Sequence, residues 1–286
     1  MTTETEIKQQ VREFYDQVGW QTVSDGVYQN ARYEDLRLVS QEYIHRCHLR
    51  VARHIRLQGR FLLDAGSGPI QYPEYLEYSR GYEKRVCADI SITALKEARK
   101  RIAEHGLFVV ADVARLPFKA GVFDGAVSLH TIHHLPQDDH IPAYREIHRV
   151  LVAGRSAVLV NGWDNPILMR IAEAPFKLRN RLYKLRKRWT AKLREWDKNE
   201  NEDEEAPKGT FVRKYNAAWL KDELGSHMFV DILVWRSVSV KFLRHYVFER
   251  LGGRAFLRIL YRLEERFPRF FGKYGQYPLI VIRKQA

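Results

Sequence analysis

Only two cysteines, Cys47 and Cys87, occur in 286 residues. Two thiols build neither a disulfide framework nor a cysteine zinc cage, and Cys87 sits in an apolar run, so both read as reduced core or near-core residues. No stretch approaches the roughly 18 apolar residues of a membrane span. The amino-terminal MTTETEIKQQ is polar and acidic where a signal peptide is basic and then apolar, which predicts a soluble, cytoplasmic protein. Apolar material is not scarce: 45% hydrophobic and 12% aromatic residues exclude a disordered or collagen-like chain. The length fits one large domain or two small ones.

An acidic excess is also missing. With 48 Lys and Arg against 35 Asp and Glu the net charge is +13, a balance that draws nucleic acid or anionic membrane. Residues 1–160 hold 21 basic and 20 acidic side chains, whereas residues 161–286 hold 27 and 15. The excess belongs to the second part.

From Phe61 onward short β-rich runs alternate with longer helical ones, the pattern of a doubly wound α/β sheet. Phe61 to Asp64, Arg85 to Asp89, Leu107 to Asp112, Phe123 to Leu129 and Ser156 to Asn161 are apolar runs suited to parallel strands covered on both faces. Ile92 to His105 reads as a helix with Leu95, Ala98 and Ile102 on one face, Ser91 as N-cap and Gly106 as its stop. Ile141, Tyr144, Ile147 and Leu151 form a similar stripe before the fifth strand.

Residues 1–57 read as an aromatic-rich helical lid, interrupted near Gly19 and Gly26, ahead of a ligand-binding core over 58–162. Residues 163–210 read as an insertion. There Leu178, Leu182, Leu185, Trp189, Leu193 and Trp196 make one apolar stripe on a basic helix begun by Pro175, followed by the acidic loop NENEDEEAP. Residues 211–286 complete the sheet: a helix near Ala217 to Leu224, a β-like run from Phe229 to Phe242, a helix near Arg254 to Arg266 and a last strand Tyr277 to Arg283.

The turn DAGSGP, residues 64–69, follows the first apolar strand, where glycines let the backbone approach a ligand. A nicotinamide-cofactor fingerprint would put a third glycine at position 71, which is Gln71, and Asp64 before the turn would repel a pyrophosphate. Asp89 ends the second strand 25 residues later, placed to accept hydrogen bonds from both ribose hydroxyls, and Asp112 ends the third, within reach of an adenine amino group. Three carboxylates at three successive strand ends favour a nucleoside that is cationic or phosphate-free.

Taken in order, LLDAGSGP (62–69), CADIS (87–91), VADVARLPF (110–118), FDGAVSLHTIHHLP (123–136) and REIHRVLVAGR (145–155) resemble the class I S-adenosylmethionine-dependent methyltransferases. Among these the chain is similar to the ubiquinone and menaquinone biosynthesis branch, over roughly Phe61 to Asn161. The resemblance implies a Rossmann-like, seven-stranded sheet with an antiparallel last strand, and S-adenosyl-L-methionine as cofactor. By it Asp64, Gly66 and Gly68 shape the methionine pocket, Asp89 with Ile90 binds the ribose, and Asp112 with Val113 flanks the adenine. Ser128, Leu129 and His130 approach the sulfonium. Two departures stand out: the usual third glycine is Ile70, which is expected to reshape the methionine pocket, and the usual Pro-Gly-Gly before the fifth strand is Val152, Ala153, Gly154 and Arg155.

Methyl transfer is an in-line displacement in which positioning and water exclusion do most of the work, and a base helps when the acceptor is a hydroxyl or an acidic carbon. His130 and His133 are the candidate catalytic residues, with His130, near neutrality, as base; His134 buttresses them. No ligand partner accompanies these histidines, so no metal is expected. Tyr15, Trp20 and Tyr72 are candidates to close over a small-molecule acceptor, and Asn161, Trp163 and Asp164 to line its side. The basic residues 176–196 have three readings: a cap on the core, an anionic membrane surface delivering an amphiphilic or quinone-like acceptor, or RNA. Cofactor binding without turnover is a further alternative.

Overall fold

The computed structural model describes residues 3–20, 22–24, 27–28, 34–174 and 211–286. Strands form where the apolar runs lie: β1 (Gly59–Ala65), β2 (Tyr82–Asp89), β3 (Gly106–Val110), β4 (Gly125–Leu129), β5 (Ser156–Val160), β6 (Phe229–Arg236) and β7 (Tyr277–Arg283). They make one sheet in the order β3-β2-β1-β4-β5-β7-β6. The first five are parallel, and β7 runs antiparallel to both β5 and β6. Leu62, Leu63, Val127, Val158 and Leu159 are buried on alternating faces, as required of strands covered on both sides.

The helices are α1 (Glu4–Phe14), α2 (Leu38–Leu49), α3 (Ile92–Ile102), α4 (His140–Val150), α5 (Ala217–Leu224), α6 (Val240–Tyr246), α7 (Gly253–Arg266) and α8 (Pro268–Tyr274), with a further helical stretch over 167–174. Ser91 caps α3 through Oγ, which accepts from the Ala94 amide at 3.1 Å. Gly106 opens β3 and does not cap the helix: the chain turns at Ala103, which has φ 42°.

The β-like run from Phe229 to Phe242 divides. Its strand stops at Arg236, and Ser239 accepts from the Phe242 amide at 3.0 Å to start α6. A serine cap overrides the local β propensity.

Residues 5–57 also divide. Helix α1 and a π-helical turn, Tyr15–Gly19, lie over the carboxyl edge of the sheet. Helix α2 instead packs on α7, where the fully buried Glu264 accepts from the Tyr43 hydroxyl (2.7 Å), Arg50 (2.9 Å) and both the amide and hydroxyl of Ser237. The stripe from Leu178 to Trp196 and the acidic loop fall outside the described residues. Cys47 and Cys87 are buried free thiols.

Candidate active site

A cavity of about 400 Å³ opens at the carboxyl ends of β1, β2, β3 and β4, where open α/β sheets hold ligands. Asp64, Gly66, Gly68, Asp89, Ile90, Asp112, Val113, Leu129, His130 and His133 all line it. Ser128 does not: it is 2% exposed within β4, and its hydroxyl has no hydrogen-bond partner among the described residues.

The glycine turn has the backbone that its sequence calls for. Gly66 has φ 73°, and a Cβ there would fall 2.2 Å from the Thr131 methyl, whose hydroxyl donates to the Gly66 carbonyl at 3.1 Å. Gly68 has φ 53° and lies under the Trp20 ring, 3.1 Å from where a Cβ would stand. Ile70 adopts the left-handed conformation that favours glycine (φ 55°), an uncommon state for a β-branched residue. Its side chain is fully buried among Leu62, Tyr75 and Val127 and does not line the cavity. The expected reshaping of the methionine pocket therefore does not occur; the departure is absorbed as backbone strain offset by core packing.

Each of the three carboxylates is held differently. Asp64 is buried and paired with Arg85, itself 1% exposed, at 2.5 Å. Asp89 accepts from two backbone amides, Gly68 and Ser91, both at 2.8 Å. Burial pushes the Asp89 carboxyl up to about 6 despite those bonds. Asp112 accepts from the Ala114 amide at 2.9 Å and pairs with Lys8 of α1 at 2.5 Å, and Lys8 also reaches Asp139 at 2.6 Å. The lid is thereby tied to the third strand end. Sequence reasoning missed Arg85 and Lys8. A lone arginine inside the apolar run of β2 was the available signal for the first, whereas nothing local marks the second.

The opposite wall begins at His130, which turns out of β4 with φ 57° while its amide donates to the Val160 carbonyl at 2.7 Å. Its ring stands edge-on to Trp235 (5.0 Å) and Tyr277 (5.6 Å) and makes no hydrogen bond among the described residues. Burial, and then the Arg236 charge, lower its pKa to about 3, so the expected near-neutral imidazole is instead firmly uncharged. His133 contacts Asn161 Oδ1 at 3.3 Å, and Asn161 in turn donates to the Tyr144 hydroxyl; burial also drives the His133 pKa down. His134 is clamped between the Tyr15 hydroxyl (3.0 Å) and the Phe211 carbonyl (2.9 Å).

Tyr15, Trp20 and Tyr72 line the cavity, and Tyr15 stacks on Trp20 with centroids 5.2 Å apart. Trp163 is a core residue whose indole donates to the Gly272 carbonyl, and neither it, Asn161 nor Asp164 lines the cavity. Glu34, Lys214, Trp235, Arg236 and Tyr277 do, and sequence reasoning missed all five. The register between β6 and β7 slips at Trp235, since Val234 faces Pro278 and Arg236 faces Tyr277. This bulge turns two consecutive residues toward one cavity, which strand alternation forbids.

Strand order, antiparallel seventh strand and a glycine-and-carboxylate edge together define a class I methyltransferase fold, and the edge suits S-adenosyl-L-methionine. Residues 63–159 match the Methyltransf_11 family, described as a methyltransferase domain. Residues 63–159 are accordingly a methyltransferase domain on a class I fold, which takes S-adenosyl-L-methionine as its cofactor. No curated protein matches the chain. Among solved structures it is similar to Haemonchus contortus phosphoethanolamine N-methyltransferase 1 in complex with phosphoethanolamine and S-adenosylhomocysteine (10% identity, TM-score 0.59, 99% of this chain and 50% of that one). It is also similar to DhpI in its SAM-HEP complex (12% identity, TM-score 0.56, 99% and 100%). A third similar structure is a complex of the Haloferax volcanii Trm112 methyltransferase activator with a methyltransferase (14% identity, TM-score 0.51, 87% and 92%). The chain spans half the length of the Haemonchus enzyme.

Proposed function

We propose that the enzyme methylates an oxygen or carbon atom of a small, amphiphilic or quinone-like acceptor, as its resemblance to the ubiquinone and menaquinone branch suggests. The carrying observation is that Asp89 and His130 line one cavity of about 400 Å³, a size suited to small-molecule ligands. When bound, the cofactor supplies an electrophilic methyl group on a sulfonium. In this reading Asp89 accepts the ribose hydroxyls, Gly66 and Gly68 let the backbone approach the methionine portion, and Asp112, Ile90 and Val113 border the adenine.

On the other wall Leu129 leads to His130, whose uncharged ring nitrogen takes up the proton of the acceptor hydroxyl or acidic carbon as that atom attacks the methyl group. A desolvated imidazole with a lowered pKa is a modest base, so positioning carries much of the work. Trp235 and Tyr277 fix the His130 ring edge-on, His133 is oriented by Asn161, and the Tyr15–Trp20 stack excludes water above the glycine turn.

The reading also locates the enzyme in the cytoplasm, with residues 176–196 docking on anionic lipid when the acceptor is membrane-borne. Release of S-adenosylhomocysteine during incubation with S-adenosylmethionine and a panel of quinols and hydroxylated aromatics, beside bulk tRNA, tests it. Turnover with a small acceptor is expected. Turnover with tRNA alone, or none with either, would favour the RNA or the non-catalytic alternative.

A further inference from the structure

The acceptor wall carries an uncompensated positive charge. Lys214 lines the cavity, only partly exposed, and makes no hydrogen bond or ion pair among the described residues. Among the described residues Asp164 is the one carboxylate whose field acts on it, and the two are not in ion-pair contact. Burial lowers the Lys214 pKa, the signature of an ammonium deprived of water without a partner. Arg236 lines the same cavity, is 2% exposed, gives one Nη to Glu34 at 2.5 Å and leaves Nε without a partner among the described residues. Its guanidinium stands 4.8 Å from the Tyr277 ring centroid and 5.1 Å from that of Trp235. The adjacent Trp235 indole N–H, 1% exposed, also has no partner among the described residues.

Two cations and one carboxylate leave this wall with one net positive charge, and burying such a charge alone is costly. On the cofactor side, by contrast, Asp64 and Asp112 already have Arg85 and Lys8.

We infer that the acceptor is a monoanion, a small carboxylate with a planar apolar stem, whose carboxylate lies between Lys214 and Arg236 with the stem against Trp235 and Tyr277. One unmatched charge fits a carboxylate better than a phosphate, which carries close to two. The His130 imidazole lies among these groups, with Arg236, His48, His134 and Lys214 all depressing its protonation. An anion docked there offsets the two cations and restores basicity to the ring that faces the reacting atom. This inference rests on the acceptor wall being the acceptor site.

The test uses full-length protein loaded with S-adenosylhomocysteine, and 4-fluorobenzoate and 4-fluorobenzamide as probes of equal shape, with binding read by fluorine NMR. Benzoate is expected to bind at least about tenfold more tightly than the amide, and Lys214→Met to abolish that preference. Glu34→Gln, which frees the Arg236 charge, is expected to strengthen benzoate binding. Equal binding of the two probes, binding of neither at millimolar concentration, or an unchanged preference in Lys214→Met would overturn the inference. S-adenosylhomocysteine affinity, measured in parallel by calorimetry, is expected to be the same in Lys214→Met as in the parent. A loss there, with 5′-methylthioadenosine binding unaffected, would show that Lys214 holds the cofactor carboxylate and would overturn the inference too. Failure of the parent protein to bind S-adenosylhomocysteine at all would strike the underlying functional reading instead.

Discussion

The two walls of the cavity are built in opposite ways. The cofactor wall takes its residues from consecutive strand ends between Asp64 and Val113, and its charges are carboxylates held by Arg85, by backbone amides and by Lys8. The wall proposed for the acceptor gathers Glu34, Tyr72, His130, Lys214, Trp235, Arg236 and Tyr277 from across the chain, and its excess charge among the described residues is positive. One wall is a local motif repeated at each strand end; the other is a product of topology. That contrast explains why the cofactor can be named and the acceptor only classed.

Each wall can be disturbed alone. The largest effect is expected for His130→Ala, a fall in turnover of about 10²-fold or more with cofactor affinity intact, measured by steady-state kinetics beside calorimetry. Equal loss of cofactor affinity would merge the walls. Asp89→Ala removes the carboxylate proposed to accept the ribose hydroxyls, and S-adenosylhomocysteine affinity is expected to weaken about 10- to 100-fold, as for charge-assisted hydrogen bonds.

The pH dependence of binding follows from the same carboxylate. Burial raises the Asp89 pKa to about 6, so the group gains a proton as pH falls through that value and loses accepting capacity. Affinity is expected to be flat above pH 7 and to drop by up to about tenfold per unit below 6, and the drop is expected to vanish in Asp89→Asn.

Ile70→Gly has the smallest expected consequence for function. It relieves left-handed strain of about 1–2 kcal/mol but loses a buried side chain worth about 2–5 kcal/mol. Thermal unfolding is expected to show a net destabilisation of about 1–3 kcal/mol, with cofactor affinity unchanged because the side chain packs away from the cavity.

The same division sets what is legible in the sequence. Five parallel strands can be read from apolar runs between Phe61 and Asn161, and the last strand from Tyr277 to Arg283, because burial on both faces leaves a local mark. The Ser91 cap and the glycine turn are equally local. The end of β6 is not: Trp235 and Arg236 face one cavity only because a bulge breaks alternation, and Ser239 starts a helix inside a β-rich run. The partners of the carboxylates are remote, with Lys8 meeting Asp112 across 104 residues. The charge state of His130 is likewise tertiary, set by burial and by Arg236. The +12 excess of the second part has a local counterpart in Lys214 and Arg236, while the segment that carries much of it, 176–196, lies outside the described residues.

The most direct test of two separable walls is calorimetric binding of S-adenosylhomocysteine to the parent protein, Asp89→Ala and His130→Ala side by side. Expected are saturable binding to the parent, a 10- to 100-fold loss in Asp89→Ala of about 1.4–2.7 kcal/mol, and parent-like affinity in His130→Ala. Parent-like affinity in Asp89→Ala, or an equal loss in both variants, would contradict it.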